Sequence, residues 1–387
     1  MNQISMFDGN QKFRIEKPFR LIELFAGYGS QSLALKYLGV KFEHWHICEW
    51  AVKSIQAYKD LHFSEDKTDY SKGLCKQQIC EILFSMGISA DYKEPMSYTQ
   101  IKRLKEPACR KIYNNIKATH NLVSVCRAKG KDFNIIDTDK YNYGMTYSFP
   151  CQSISLSGKN NGMQEGSGTT SSMLWEVKRI LSELYEIDGE KSLPQILLME
   201  NVPQVHGKNN KDDFYKWCDF LESIGYKNYW KDLNAKNFGV PQNRDRCFMV
   251  SILGDYYYDF PQEIPLRLRL KDLLEKNVDE KYYISDKTVE YYIHHTEESK
   301  ERGNGFEFMP TDGENLARTV TTRAGGRMDD NFIKATDNST PPRNSTADGC
   351  MLKQSKRFGK APLEGLSRTI LAENVGAGVV EWENNNG

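Results

Sequence analysis

No pair of cysteines stands in Cys-x-x-Cys spacing, and the nine cysteines are odd in number. A disulfide framework and a zinc ribbon are therefore excluded, and a reducing cytoplasm is the expected compartment. No long apolar run interrupts the chain, so no transmembrane helix is expected. Met1 to Lys17 carry no apolar stretch leading to a small-residue cleavage site, which excludes a secretory signal. Net charge is also missing: 52 Lys and Arg balance 52 Asp and Glu. With no whole-molecule field, contact with an anionic polymer has to come from local basic patches. The 387 residues, 39% hydrophobic and 27% charged, suffice for two or three domains with a sizeable core.

Phe19 to Phe25 reads as a buried strand, broken by Gly27-Tyr28-Gly29-Ser30. Leu33, Ala34, Tyr37 and Leu38 then repeat at helical spacing, and a second strand around Trp45 to Cys48 ends at Glu49. A glycine loop after the first strand and an acid about 20 residues on form the pattern of a nucleoside-binding Rossmann-like half. His44, His46 and Cys48 alternate and would share one strand face. Without a fourth ligand they read as half-exposed strand residues rather than a metal site.

Residues 59–131 read as a helical insertion. Ile101, Leu104, Ala108, Ile112 and Ile116 recur every three to four residues, with Pro107 starting or interrupting the helix. The lysines and arginines there, Lys102 to Lys117, read as a solvated face rather than a DNA contact. The α/β rhythm resumes with a strand ending at Phe149, a helix through Leu174 to Leu184, a strand from Gln195 ending at Glu200, a helix through Phe214 to Leu221 and a strand Cys247 to Leu253. Such alternation predicts a mostly parallel sheet with ligands at the carboxyl ends of its strands. Residues 1–58 and 132–261 are thus expected to form one catalytic domain. Residues 262–301 read as a linking segment with a short helix around Leu270 to Glu275, and 302–387 as a small β-rich domain. Leu316 to Thr322 and Leu366 to Leu371 resemble each other as two similarly built strands.

Cys151, in Phe149-Pro150-Cys151-Gln152, stands just past a buried strand and ahead of a Gly- and Ser-rich loop, a placement suited to a nucleophile. No histidine offers itself as a Cys-His partner. Instead, Glu200 and the pair Arg244 and Arg246 supply an acid and two cations. That set suits an electron-poor heterocycle: thiolate addition to a ring carbon, a carboxyl group on the ring nitrogen, and an arginine on the oxygen where charge builds.

The ordered segments Phe25-Ala26-Gly27-Tyr28-Gly29-Ser30, Cys48-Glu49-Trp50, Phe149-Pro150-Cys151-Gln152, Glu200-Asn201-Val202-Pro203 and Gln242-Asn243-Arg244-Asp245-Arg246 resemble the motifs of cytosine-carbon-5 DNA methyltransferases, in particular phage and mobile-element members. The resemblance implies a Rossmann-like S-adenosylmethionine-dependent α/β sheet, with the helical insertion and a target-recognition domain. It implies methyl transfer to carbon 5 of a flipped cytosine in double-stranded DNA, through a covalent Cys151 adduct, within a restriction-modification system and with a restriction endonuclease as possible partner. In that reading Phe25, Gly27 and Gly29 line the cofactor pocket, Glu49 binds the ribose hydroxyls, Trp50 packs on the adenine and Asp132 meets its amine. Pro150 shapes the pocket, Cys151 is the nucleophile, Glu200 contacts the cytosine ring nitrogen and amine, and Arg246 faces its carbonyl oxygen with Arg244 in support. Gln152 and Ser153 close over the DNA with the loop that follows.

Two features depart from the family pattern. An arginine of the mobile loop corresponds to Thr170 here, so either Lys159 replaces that cation or DNA binding is weaker. The last two family motifs are not found before Gly387, so the chain is expected to be a truncated product, a cut piece or one half of a split enzyme, with poor activity until the motifs are supplied in cis or by a complementing polypeptide. Alternatives are a tRNA cytosine methyltransferase and an inactive subunit that only binds DNA. An adenine methyltransferase is disfavoured, because the single Pro-Pro, Pro341-Pro342, is followed by Arg343 and not by an aromatic residue. Specificity is expected from Arg323 and Arg327 around Gly325-Gly326, with Lys356 and Arg357 on phosphates. Exchanging residues 302–380 for another enzyme's segment is expected to change the methylated sequence, read by bisulfite sequencing; unchanged specificity would place readout elsewhere.

Overall fold

The computed structural model describes residues 11–155, 162–274, 283–303, 307–319 and 330–334, with the backbone of 351–353. Strands β1 (Phe19–Leu24), β2 (Phe42–Cys48), β3 (Asn142–Tyr147), β4 (Ile196–Asn201), β5 (Tyr226–Asn234) and β6 (Asp245–Leu253) form one sheet in the order β2-β1-β3-β4-β6-β5. The pairs β1/β2, β1/β3 and β3/β4 are parallel, whereas β6 runs antiparallel to β4. Every residue of β1 and β3 is buried, as an inner strand covered on both faces requires. The core joins Tyr143, Met145 and Tyr147 of β3 and Leu197 and Met199 of β4 to α6 (Leu174–Asp188) and α7 (Lys211–Ser223). The result is an α/β fold with a mixed sheet.

The structure refines several expectations. β3 ends at Tyr147, so Phe149 and Cys151 lie in the loop beyond it. β5 alternates poorly and carries Lys227, Lys231 and Asp232, as an end strand of a sheet can, which hid it from a search for buried runs. The expected alternation of His44, His46 and Cys48 is broken by a bulge: Leu21 pairs with His44 and the next residue, Ile22, with His46. His44 Nδ1 lies 2.9 Å from the Tyr58 hydroxyl, His46 Nδ1 lies 3.2 Å from the His120 carbonyl, and Cys48 is buried.

Helices α2 (Val52–His62), α3 (Lys76–Met86), α4 (Tyr98–Arg103) and α5 (Glu106–Ala118) build the insertion around their own core of Ile55, Ile79, Leu83, Ile101, Ile112 and Ile116. The apolar repeat from Ile101 to Ile116 is two helices, not one. Leu104 and Lys105 are extended between them, and Pro107 sits in the first turn of α5, where its missing N–H costs nothing.

By contact, residues up to Leu233 together with Arg246–Pro261 form one compact unit. Asn234–Asp245 and the described residues from Gln262 on form another. Within the second unit, the segment read as linking carries α8 (Asp286–Glu301), capped by Ser285, whose hydroxyl accepts the Thr288 N–H. No residue of α8 is buried; only Val289 and Tyr292 pack on Ile284, Phe308 and Phe332, so its apolar period is faint in the sequence. Of the expected strand Leu316 to Thr322, Ala317–Arg318 pairs in parallel with Gln242–Asn243; its counterpart Leu366 to Leu371 lies outside the described residues. Among the described residues no helix is long and apolar enough to cross a membrane.

Leu83 is fully buried in the insertion core. Leu83→Ala is expected to lower unfolding free energy by about 2–5 kcal/mol in urea titrations. A loss below about 1 kcal/mol would mean that the insertion contributes little packing to the fold.

Candidate active site

The loop between β1 and α1 (Ser30–Tyr37) hangs on the end of β2. Ala26 N–H donates to the Cys48 carbonyl at 3.1 Å, and Gly27 N–H to Glu49 Oε2 at 2.8 Å. Phe25, Gly27 and Gly29 all have positive φ, a conformation unfavourable for Phe25 and easy for glycine. Gly29 is required twice over, since a β-carbon there would run into the ring of His62 and lie 2.6 Å from that of Tyr58. A β-carbon at Gly27 would meet nothing within 4 Å, so the loop surface there is open.

Support comes from beneath. His62 Nε2–H donates to the Tyr28 carbonyl at 2.9 Å, while its Nδ1 accepts from Lys36 at 3.1 Å, which leaves only one neutral tautomer consistent with both contacts. Burial and the Lys36 charge hold its pKa down at about 4. Deeper still, Ser32 and Tyr58 donate to the buried Glu23, whose pKa is raised because burial outweighs those bonds.

Glu49 is buried, and burial pushes its carboxyl group up to about 7 despite N–H bonds from Ala51 and Gly27. Each carboxylate oxygen has a second acceptor site, so the group can still take two ribose hydroxyls. With the open surface at Gly27, this donor and acceptor set fits a nucleoside cofactor. Trp50 is partly buried against the insertion core. Asp132 closes its own short turn, Gly130–Phe133, by accepting the Lys129 N–H at 2.9 Å.

The turn at Cys151 is held by neighbours on both sides. Asn201, at the end of β4, donates from Nδ2 to the Phe149 carbonyl at 3.0 Å. The Cys151 carbonyl accepts from Ile154 at 3.1 Å and Ser155 at 2.9 Å. The Ser171 hydroxyl donates to the Pro150 carbonyl at 2.8 Å and accepts the Ser153 N–H at 3.3 Å. The Ser153 hydroxyl lies 2.9 Å from that of Thr170, the residue standing where the family arginine was expected. Gln152 is exposed. Asn201 stands within Glu200-Asn201-Val202-Pro203, but its bracing of Phe149 is not legible there, and no local signal marks Ser171.

Glu200 and Arg246 come together as an ion pair, Oε1 to Nε 2.9 Å, with side chains only 15% and 16% exposed. Glu200 lies opposite Phe248, and Asn201 opposite Cys247, so the antiparallel β6 delivers Arg246 at its start to the edge where β4 ends. Arg244 belongs to the other unit. Its N–H donates to Asn234 Oδ1 and its carbonyl accepts from Ala235. Lys159, Arg323, Arg327, Lys356 and Arg357 lie outside the described residues.

Eight cysteines are described, all free. Burial raises the pKa of Cys48, Cys109, Cys218 and Cys247, which suits inert core thiols. Cys151 is half-buried and sits past a carboxyl end of the sheet. One group with metal-compatible donors occurs among the described residues, His206, Asp232 and Cys247. There His206 Nε2 lies 2.9 Å from Asp232 Oδ1, a hydrogen bond beside the fully buried thiol of Cys247.

Comparison with known proteins gives a consistent result. The profile of the C-5 cytosine-specific DNA methylases matches residues 92–366. The chain is 38% identical over 276 residues to the type II methyltransferase M2.ScrFI of Lactococcus lactis subsp. cremoris, covering 70% of this chain and 71% of that protein. It is 36% identical over 271 residues to the orphan methyltransferase M.SssI of Spiroplasma monobiae, covering 68% and 67%. The Dnmt2 methyltransferase structure of S. pombe superposes with a TM-score of 0.55 over 95% of this chain and 96% of that one, at 14% identity, a likeness of fold.

The Glu49 carboxyl group titrates at about 7 when folded against 4.5 as the ordinary value. Between those values the unfolded chain has released the proton and the folded chain retains it. Stability is therefore expected to fall as pH rises through this window, by up to about 1.4 kcal/mol per pH unit, and to level off above it. Glu49→Gln is expected to flatten that slope in denaturant titrations of the ligand-free protein. Parallel profiles for the two proteins would show that Glu49 does not titrate there.

Proposed function

This chain belongs to the C-5 cytosine-specific DNA methylase family, and we propose that Cys151, Glu200 and Arg246 carry its reaction. The protein is a DNA cytosine methyltransferase. S-adenosylmethionine supplies the electrophilic methyl group when bound. Glu49, with the loop Phe25 to Gly29, is the place to hold its nucleoside part, and Trp50 and Asp132 are the candidates for its adenine. The observation that carries the assignment is the Glu200–Arg246 ion pair on β4 and β6, tied by Asn201 to the turn of Cys151.

The target carbon is unreachable inside a duplex, so the cytosine has to swing out to this edge. The Cys151 thiolate forms a bond to the ring carbon next to carbon 5. Negative charge then spreads to the ring carbonyl, where Arg246 stabilises it, while Glu200 holds the ring nitrogen. Carbon 5 becomes nucleophilic and would take the methyl group as the bond to the cofactor's sulfur breaks, releasing S-adenosylhomocysteine. Loss of the carbon 5 proton to solvent then expels the thiolate and restores the ring. Arg246 also fixes the orientation of Glu200, because a buried carboxylate is held in place by its countercharge. The type II name of M2.ScrFI suggests a restriction-modification setting, whereas M.SssI carries the name orphan, so a cognate restriction endonuclease stays a proposal resting on the first relative.

Cys151→Ser is expected to abolish methyl transfer while leaving cofactor affinity near wild type, because a hydroxyl group is a far weaker nucleophile than a thiolate. DNA carrying 5-fluorocytosine is expected to trap a denaturation-resistant adduct at Cys151, read by mass spectrometry of peptides. Full turnover by Cys151→Ser would falsify the assignment. Glu200→Gln is expected to lower kcat about 10²- to 10⁴-fold with a smaller change in DNA affinity. Equal losses in both would make Glu200 a binding residue.

A further inference from the structure

We propose that Ser171 is a positioning residue for the Cys151 nucleophile, an inference that rests on the reading of Cys151 above. Ser171 is fully buried on the short turn Thr170–Met173 that opens α6. Its single hydroxyl makes two bonds to the backbone on either side of Cys151. It donates to the carbonyl of Pro150, one residue before, and accepts the N–H of Ser153, two residues after. A hydroxyl has one proton to give, so donation to Pro150 leaves a lone pair for Ser153, and both contacts are satisfied at once. The nucleophile's backbone is thereby clasped from the helix side, while Asn201 holds Phe149 from the strand side.

The clasp has a firm base. Thr169 caps the turn by accepting the Ser172 N–H at 3.2 Å and donates its own hydroxyl to Gly162 at 3.1 Å. Trp175, one turn further on, donates Nε1–H to the Met163 carbonyl at 2.7 Å. Thr170 holds the Ser153 side chain, so two consecutive hydroxyl residues grip the same segment. Without the Ser171 hydroxyl, the buried Ser153 N–H and the Pro150 carbonyl both lose a partner, and the turn relaxes toward other bonds. The chemistry at Cys151 is sensitive to that relaxation, because a displacement of about 1 Å in a reacting group costs on the order of a hundredfold in rate.

The test compares wild type with Ser171→Ala and with Ser171→Cys, whose thiol fills the site with a larger atom but bonds only weakly. Adduct formation at Cys151 with 5-fluorocytosine DNA, kcat, KM for DNA and for S-adenosylmethionine, and Tm are measured on the full chain. In a folded variant, adduct formation and kcat are expected to fall together by about 10- to 100-fold, with both KM values within about twofold of wild type. Should alanine prevent folding, the cysteine variant is held to the same outcome. Wild-type adduct rates in either folded variant overturn this inference alone. So does a loss in which both KM values worsen as much as kcat, the mark of general destabilisation. Absence of any Cys151 adduct in the wild type overturns the reading of the nucleophile, and this inference with it.

Discussion

Parallel pairing of β1 with β2 and β3, and of β3 with β4, is the constraint on which the site depends. Parallel strands end on one edge, so chain segments far apart in sequence deliver their following residues to one place. The glycine loop follows β1, Glu49 follows β2, the Cys151 turn follows β3 and Glu200 closes β4. Pairing alone leaves loops free to wander. The bond from Asn201 to Phe149 converts neighbouring strand ends into a fixed geometry, because its donor is buried and has no water to turn to.

Three carboxylates near this edge meet the same cost of desolvation in three ways. Glu200 has a countercharge in Arg246. Glu49 has backbone N–H groups, which fall short of repaying burial and leave its pKa raised. Glu23 has the hydroxyls of Ser32 and Tyr58, also short of full compensation. The difference suits their places. Backbone N–H groups and hydroxyls tie Glu49 and Glu23 to the glycine loop and the helix after it, whereas Glu200, at the end of β4, is held by a charged neighbour.

The insertion stands on a separate basis. Its helices bury Ile79, Leu83, Ile101 and Ile112 against one another, so it can vary without disturbing the sheet. It is nevertheless tied in at Asn121, whose side chain accepts the Glu49 N–H at 3.1 Å and donates to the Glu49 carbonyl at 2.9 Å. The backbone of Glu49 is thus held by the far end of the insertion.

Much of the site was legible in the chain because its signals are local. A glycine is forced where φ is positive and space is short, as at Gly29. A buried apolar run followed by Pro150-Cys151 or by Glu200 marks a strand end whatever surrounds it. Family resemblance assigned chemistry to those positions. What the sequence could not carry was anything set by packing across distance. The antiparallel course of β6, which brings Arg246 to Glu200, follows from which strand it pairs with. The break between α4 and α5 shows in the sequence only as Pro107, since the apolar period of both helices continues toward one core. α8 leaves little apolar pattern because it buries almost nothing. Ser171 carries no mark at all, since a serine's partner is chosen by whichever backbone atoms the fold places against it. The sequence by itself determined most strands of the sheet, to within a residue or two at their ends, and the candidate groups that follow them. Tertiary structure alone decided how those groups are oriented, because hydrogen bonds and ion pairs act only over a few ångströms that distant segments cross when the sheet closes.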